Sequence, residues 1–249
     1  MKGIICAVVL AGLTATGAMA AEKNWTVEGT ALSISSPCAK VVAIEPSGDG
    51  SGKVQVAATG RQKEIDRLEI LGGATASIGI KDKRCPSNVH FEFGFFKWGI
   101  NTDPTLELTV RVPAGAPIEI KESHSTDYHV GEVGGPLRVD LSGSGDVDAD
   151  IVRVRLDADL SGSGSLSVVR AEAAGMGLAI SGSGHASVDE GAIGSLTVKS
   201  SGNGDADIDA AVTDADLAVS GSGDVRVREA SGQVRRNSYG SGEISIGGR

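Results

Sequence analysis

Between residues 137 and 246 apolar and polar positions alternate in short runs. One set of runs reads Leu137/Val139/Leu141, Leu156/Ala158/Leu160, Met176/Leu178/Ile180 and Leu196/Val198. A second set reads Val147/Ala149, Leu166/Val168, Ala186/Val188, Ala206/Ile208, Val225/Val227 and Ile244/Ile246. The residues between members of the second set are polar: Asp148, Ser167, Ser187, Asp207, Arg226 and Ser245. A period of two with one apolar face predicts half-buried β-strands. The two kinds of run are joined each time by a Ser/Gly stretch, as in "LSGSGDVDAD", "LSGSGSLSV" and "VSGSGDVRV".

The joints recur at a nearly fixed period. Their first glycines are Gly143, Gly162, Gly182, Gly202, Gly221 and Gly240, at steps of 19, 20, 20, 19 and 19 residues. One step earlier stands His124, in "ESHSTDYHV", which keeps the flanking pattern without the glycines and reads as a degenerate first repeat. Each repeat is therefore strand, Gly corner, strand and return turn. Hairpins of an antiparallel barrel would also supply two strands per repeat. However, the same joint always links the same two strand types in the same order, while the return segments vary like surface loops. Stacked coils place each strand beside its own copy, in parallel. The expected fold is an all-β, right-handed parallel β-solenoid of about 19–20 residues per coil. Gly at the corner permits close backbone approach, and any positive φ that a sharp bend requires. The six corner glycines are read as structural, with no ligand needed.

Repeated "SGSGD-V/I-x-V" corners preceded by "LELTVRVPAG…IEI" resemble the GIN-domain proteins, a domain of unknown function also called the putative autotransporter adhesin head. The matching segments are residues 106–120 and 143–246, with a looser match over 41–56. The resemblance implies a right-handed β-solenoid exported to the cell envelope, and it establishes no ligand.

Residues 21–104 lack the Gly corner and are expected to form an irregular β cap, continuous with a regular solenoid over residues 105–249. "KVVAIEP" and "KVQVAAT" predict two strands around the polar turn "SGDGSG". "RQKEIDRLEIL" fits either a short helix or an edge strand, whereas "ATASIGIK" and "VHFEFGFFKWG" read as strands. Half of the chain's eight aromatic rings are Phe91, Phe93, Phe95 and Phe96, with Trp98 beside them. They suit a bulky plug over the open end of a solenoid better than a carbohydrate-stacking patch, because a solenoid end must be capped.

Composition changes this picture in two places. Aromatics are only 3% of the chain against 40% hydrophobic residues, so the core must be built from Val, Ile, Leu and Ala. The net charge is −9, which argues against nucleic acid or anionic lipid as partners, since both require a positive footprint. At the N-terminus, Lys2, an apolar stretch over residues 4–13 and Ala18-Met19-Ala20 predict a signal peptide, residues 1–20, cleaved after Ala20. No transmembrane helix is then expected in the mature chain, which would be periplasmic, at the cell surface or secreted. In such an oxidising compartment Cys38 and Cys85 are expected to pair, the alternative being two free buried thiols.

The candidate chemistry is sparse. "GSGDVD" is like the calcium-binding β-roll nonapeptide, but those sites need tandem nine-residue repeats. The column after the corner, Asp127, Asp146, Ser165, His185, Asp205, Asp224 and Glu243, is broken by Ser and His. Its aspartates read as caps for corner N–H groups. Outward carboxylates Asp140, Asp148, Asp157, Asp159, Asp207, Asp209 and Asp216 lie on regular faces, with Asp207 expected beside Arg226 and Asp209 beside Arg228. Glycoside cleavage needs a carboxylate pair in a pocket, one with a raised pKa. His90, His124, His129 and His185 have no metal-ligand spacing, and no phosphate loop or nucleophile elbow appears. No metal, cofactor or catalytic residue is expected. Near the end of the chain, Arg236 falls in the inward column Val139, Ala158, Leu178, Val198, Leu217 with Arg235 beside it, and the pair is read as blunting the last edge and keeping the protein monomeric. The expected role is a non-catalytic, adhesin-like or structural envelope protein that binds a surface polymer or protein. The alternative is a carbohydrate-active enzyme, a polysaccharide lyase or hydrolase, on the same scaffold.

Overall fold

The computed structural model describes residues 20–48, 50–82, 84–85, 89–93, 96–100 and 105–247, with the backbone alone described over 89–93 and 96–100. Residues 1–19 of the expected signal peptide lie outside the described residues. No helix among the described residues is long and apolar enough to cross a membrane.

The N-terminal part contains β1 (Ala21–Glu28), β2 (Ala31–Ser35), β3 (Val41–Pro46), β4 (Lys53–Gly60), the short helix α1 (Gln62–Ile65), β5 (Leu68–Leu71) and β6 (Thr75–Ile80). "RQKEIDRLEIL" thus holds both a helical turn and a strand. A separate two-stranded antiparallel sheet, β7 (Val89–Phe93) with β8 (Phe96–Ile100), follows. The side chains of that hairpin lie outside the described residues, and with them the plug and sugar-stacking readings.

From there the chain coils. The strands are β9 (Glu107–Val112), β10 (Ile118–Glu122), β11 (Asp127–Val133), β12 (Leu137–Leu141), β13 (Val147–Val152) and β14 (Arg155–Leu160). They continue as β15 (Ser165–Ile180), β16 (His185–Ser200), β17 (Ala206–Val219), β18 (Val225–Ala230), β19 (Val234–Ser238) and β20 (Ile244–Ile246). Apart from the antiparallel contact of β9 with β4, the pairing in this part is parallel and follows the alternation. Val147 stands over Leu166, Leu166 over Ala186, Ala186 over Ala206, Ala206 over Val225 and Val225 over Ile244. These columns and their partners from the other strand face fill the lumen with Val, Ile, Leu and Ala. The fold is a β-solenoid.

Coil length shows up as register. Where the repeat step is 20 residues, β15 and β16 stay in register through the corner strands and the return segment. The next coil is one residue shorter, and the register shifts between Val188 and Ala192 opposite Ile208 and Ala211. The missing residue is taken from the return segment, and the corner keeps its geometry.

Parallel stacking also reaches back into the N-terminal part. β2 pairs in parallel with β10 on one side and β6 on the other, and β3 pairs in parallel with β11 and β9. The coil made by β2 and β3 is therefore slotted between the coil of β6 and β9 and the coil of β10 and β11, out of chain order. Strands β3 and β4 do not form a hairpin, because β9 lies between them and pairs antiparallel with β4. The antiparallel strands β1, β4 and β5 cover this end of the stack. Cys38 and Cys85 form the expected disulfide, with Cα atoms 5.4 Å apart and a sequence separation of 47. In the chain-entropy account a loop of that size is worth about 4 kcal/mol. The bridge fastens the slotted coil to the segment after β6.

The corners explain the Ser-Gly-Ser-Gly motif. A Cβ on Gly182 would fall 2.6 Å from the Ser161 carbonyl oxygen and closer still to that of Gly162. The same Gly162 oxygen accepts the backbone N–H of Ser183 at 3.0 Å. None of the corner glycines is among the described residues with positive φ, so close approach, and not an unusual bend, excludes a side chain. Gly182→Val is expected to destabilise the protein by at least about 3 kcal/mol, since the obstacle is backbone and cannot rotate away. A thermal melt should read this as a fall of roughly 6–12 °C; a midpoint within about 2 °C of the parent would mean that the corner tolerates a side chain.

Candidate functional site

On the outer faces charged groups are mostly tied to one another. Arg226 reaches Asp207 at 3.4 Å and Asp224 at 2.9 Å, as the repeat alignment anticipates for Asp207. Asp209 falls in the register shift, and Arg228 turns to Glu229 at 3.5 Å. Asp140 is held by Arg138, and Asp157 by Arg155. Asp148 faces His129 at 3.6 Å, and His185 lies 3.8 Å from Asp207. Along the return side, Glu132, Arg153, Glu172, Arg170 and Glu190 form a ladder of alternating sign across successive coils. Solvent screens such exposed pairs, so they add little to stability.

The aspartates after the corner act across coils. The carboxylate of Asp146 accepts the backbone N–H of Ser165 at 2.8 Å. Asp205 accepts that of Asp224 at 2.7 Å, and Asp224 that of Glu243 at 2.9 Å. Each caps the corner of the following coil. Among the described residues no cluster of three or more His, Cys, Asp or Glu is placed to hold a metal ion. Three carboxylates with displaced titration move the wrong way for a glycosidase acid. Hydrogen bonds from Lys121 and Ser33 hold Glu119 below the usual carboxylate range, and Arg153 does the same for Glu132. At Glu64 burial pushes upward but is outweighed by hydrogen bonds from Arg61 and Thr105.

One corner departs from the pattern. In "ESHSTDY", Glu122 occupies the inward column position of Leu141, and Tyr128 that of Val147. The Glu122 side chain is fully buried. One oxygen accepts the Tyr128 hydroxyl at 2.9 Å and the other accepts the backbone N–H of His124 at 2.7 Å. Tyr128 is itself wholly buried, and burial together with Glu122 pushes its hydroxyl well above its ordinary pKa, so it stays a donor. Beneath this corner lies the turn of the slotted coil, where Ser36 has φ 37° and Cys38 φ 53°. Non-glycine residues in that region carry about 1–3 kcal/mol of strain each. The Ser36 hydroxyl lies 3.0 Å from that of Ser123, which lies 3.0 Å from His124 Nδ1.

Hydroxyl, imidazole and carboxylate thus meet here, but they do not form a nucleophile relay. Ser123 and Glu122 both approach Nδ1, the second at 3.7 Å, whereas a relay needs the two ring nitrogens on opposite partners. A groove of about 400 Å³ opens beside the corner, lined by Ser33, Ser36, Glu69, Ser77, Gly79 and His124 among others. A second groove, containing Lys121, Arg138 and Asp140, adjoins it through Ser35, Ser36 and Ser123. Glu122 and Tyr128 escape a search for motifs, although a carboxylate in an otherwise aliphatic column signals them once the repeats are aligned. The His90 side chain lies outside the described residues.

Glu122→Ala should leave the Tyr128 hydroxyl and the His124 N–H without an acceptor, at a cost of about 3 kcal/mol. Glu122→Leu combined with Tyr128→Phe makes the column apolar and leaves only the His124 N–H without an acceptor, so it should recover the hydroxyl's share of that loss. Parallel thermal melts of the single and double variants check both; a double variant melting as low as Glu122→Ala would refute the assignment of the cost to stranded donors.

No curated protein matches the chain. Among solved structures, a putative adhesin from Bacteroides fragilis aligns with a TM-score of 0.63 at 15% identity, covering 92% of this chain and 98% of that one. A putative lipid binding protein from Parabacteroides distasonis aligns at 0.61 and 13% identity, covering 92% and 97%. A putative adhesin from the same species aligns at 0.57 and 16% identity, covering 91% and 96%. At these identities the likeness concerns the fold. The sequence itself matches a family over residues 96–249, from the second strand of the hairpin through every Gly corner. The chain therefore belongs to the family described as the putative auto-transporter adhesin, head GIN domain.

Proposed function

We propose that the protein is an exported, non-catalytic binding module of the cell envelope, which engages a surface polymer or a protein. Membership of an adhesin-head family carries this reading. The tied charges of the faces and the absence of a relay at the irregular corner agree with it. A lipid ligand, as the name of one structural neighbour suggests for that protein, finds no support here, because the inward columns are packed with buried aliphatic side chains. Purified protein should bind an envelope or host-surface fraction saturably and leave the bound material intact. Release of fragments that depends on any of the outward carboxylates would replace this reading with a carbohydrate-active enzyme.

The corner glycines are structural in this reading, and Arg235 and Arg236 protect an edge. Among the described residues β19 has a parallel neighbour, β17, on one side only, and all its residues are exposed. Arg236 stands over the buried Leu217 in the inward column. A guanidinium there keeps the edge wet and unattractive to another strand. Arg236→Val should give concentration-dependent association in light scattering that the parent lacks; a variant that stays monomeric, or a parent already associated through this edge, removes the role.

A further inference from the structure

We propose that the irregular corner is the binding site itself, and that it takes a neutral, hydroxyl-rich ligand: one or two sugar rings of an uncharged glycan. The inference rests on the reading of the protein as a binding module and deepens it. Regular corners offer a ligand little, because stacked carbonyls exclude side chains from them. At one coil the exclusion lapses, and His124 stands where the following coils carry glycine.

That imidazole is held for use. The main-chain N–H of His124 donates to the buried Glu122 carboxylate, and the ring Nδ1 is engaged by Ser123, itself joined to Ser36. Among the described residues nothing engages Nε2, and the side chain is partly exposed at the groove. Glu69 lines the same groove, exposed on β5 and opposite the side-chain-free Gly79 in the strand register. Ser33 and Ser77 line the same groove on neighbouring coils in register, the Ser33 hydroxyl donating to Glu119 at 2.9 Å. An imidazole nitrogen, a carboxylate and several hydroxyls around a gap left by a glycine make a set of donors and acceptors suited to vicinal hydroxyl groups.

Charge selects among hydroxylated ligands. No cation lines this groove among the described residues, and those of the adjoining groove are paired, Lys121 with Glu119 at 2.8 Å and Arg138 with Asp140 at 2.9 Å. With a net charge of −9 the protein repels polyanions, so uronic, sulfated and phosphorylated chains are disfavoured.

The test is calorimetric titration of the folded protein with oligomers of glucose, mannose and N-acetylglucosamine, and with oligogalacturonate as the acidic counterpart. Two variants address the site: Glu69→Gln, and His124→Gly, which installs the residue used at every later corner and so keeps the fold. Ser201→Ala, on a later corner, is the control. At least one neutral oligomer should bind, with affinity falling tenfold or more in both site variants, unchanged in Ser201→Ala, and with no binding of oligogalacturonate. If a neutral oligomer binds both site variants as well as the parent, the site is elsewhere and the binding-module reading stands. If only oligogalacturonate binds, or only a protein from an envelope fraction, the ligand class is wrong. If nothing in the panel or in the envelope fraction binds, this inference and the module reading fall together.

Discussion

Everything in this protein follows from one contact, the backbone of one corner resting on the corner below. The Gly162 carbonyl oxygen takes the N–H of Ser183 and at the same time fills the space a Cβ would need at Gly182. The same arrangement repeats from Gly143 to Gly240. The obstacle is a backbone carbonyl, whichever residue supplies it: that of His124 already excludes a Cβ at Gly143, and each later corner carbonyl does the same to the next coil. This accounts for a compositionally poor motif that nonetheless recurs at a strict period. It also shows why variation in coil length is absorbed in the return segment, as the register shift at β16–β17 records.

The column has a beginning, and the beginning differs. The turn beneath His124 belongs to the slotted coil of β2 and β3, whose chain enters the left-handed region at Ser36 and Cys38 and is fastened by the disulfide. That turn does not impose glycine on the coil above it. His124 and Thr126 then have side chains where Gly143 and Gly145 have none, and the lumen below is filled by a hydrogen-bonded Glu122–Tyr128 pair in place of aliphatic groups. A buried carboxylate is tolerated because both its oxygens have donors. The strain at Ser36 and Cys38 persists because stacking on both sides and a covalent bridge over-determine the turn.

Much of the fold could be read in the sequence, because a solenoid writes its periodicity locally. Alternation gave the strands, the spacing of Gly143 to Gly240 gave the stack, and an isolated cysteine pair suggested the bridge. The slot of β2 and β3 between later coils was not legible. "ALSIS" and "VVAIEP" carry ordinary strand patterns, and nothing local records which neighbours they choose; that depends on the long-range pairings with β6, β9, β10 and β11. For the same reason "KVVAIEP" and "KVQVAAT" read as two strands around a turn, with nothing to show that β9 lies between them. At the corners, the sequence could not separate positive φ from close approach as the reason for glycine; the stacking geometry does. The buried pair was missed because Glu122 and Tyr128 lie in a stretch without the glycines that draw the eye.

The regular faces and the irregular corner therefore differ in what they leave available. On a regular face each coil repeats the position of its neighbour, so opposite charges can settle into ladders such as Glu132 to Glu190 and satisfy one another. Backbone groups are likewise consumed by the next coil, with aspartates covering the N–H groups at the corners. Periodicity thus builds a stiff and chemically quiet rod. Free hydrogen-bonding valence survives where the period is broken, and among the described residues the break with an oriented imidazole and an adjoining groove is the corner at Glu122, Ser123 and His124. The insertion of a coil out of chain order is what breaks the period there, so the feature least visible in the sequence is also the one that gives the rod a distinguishable place along its length.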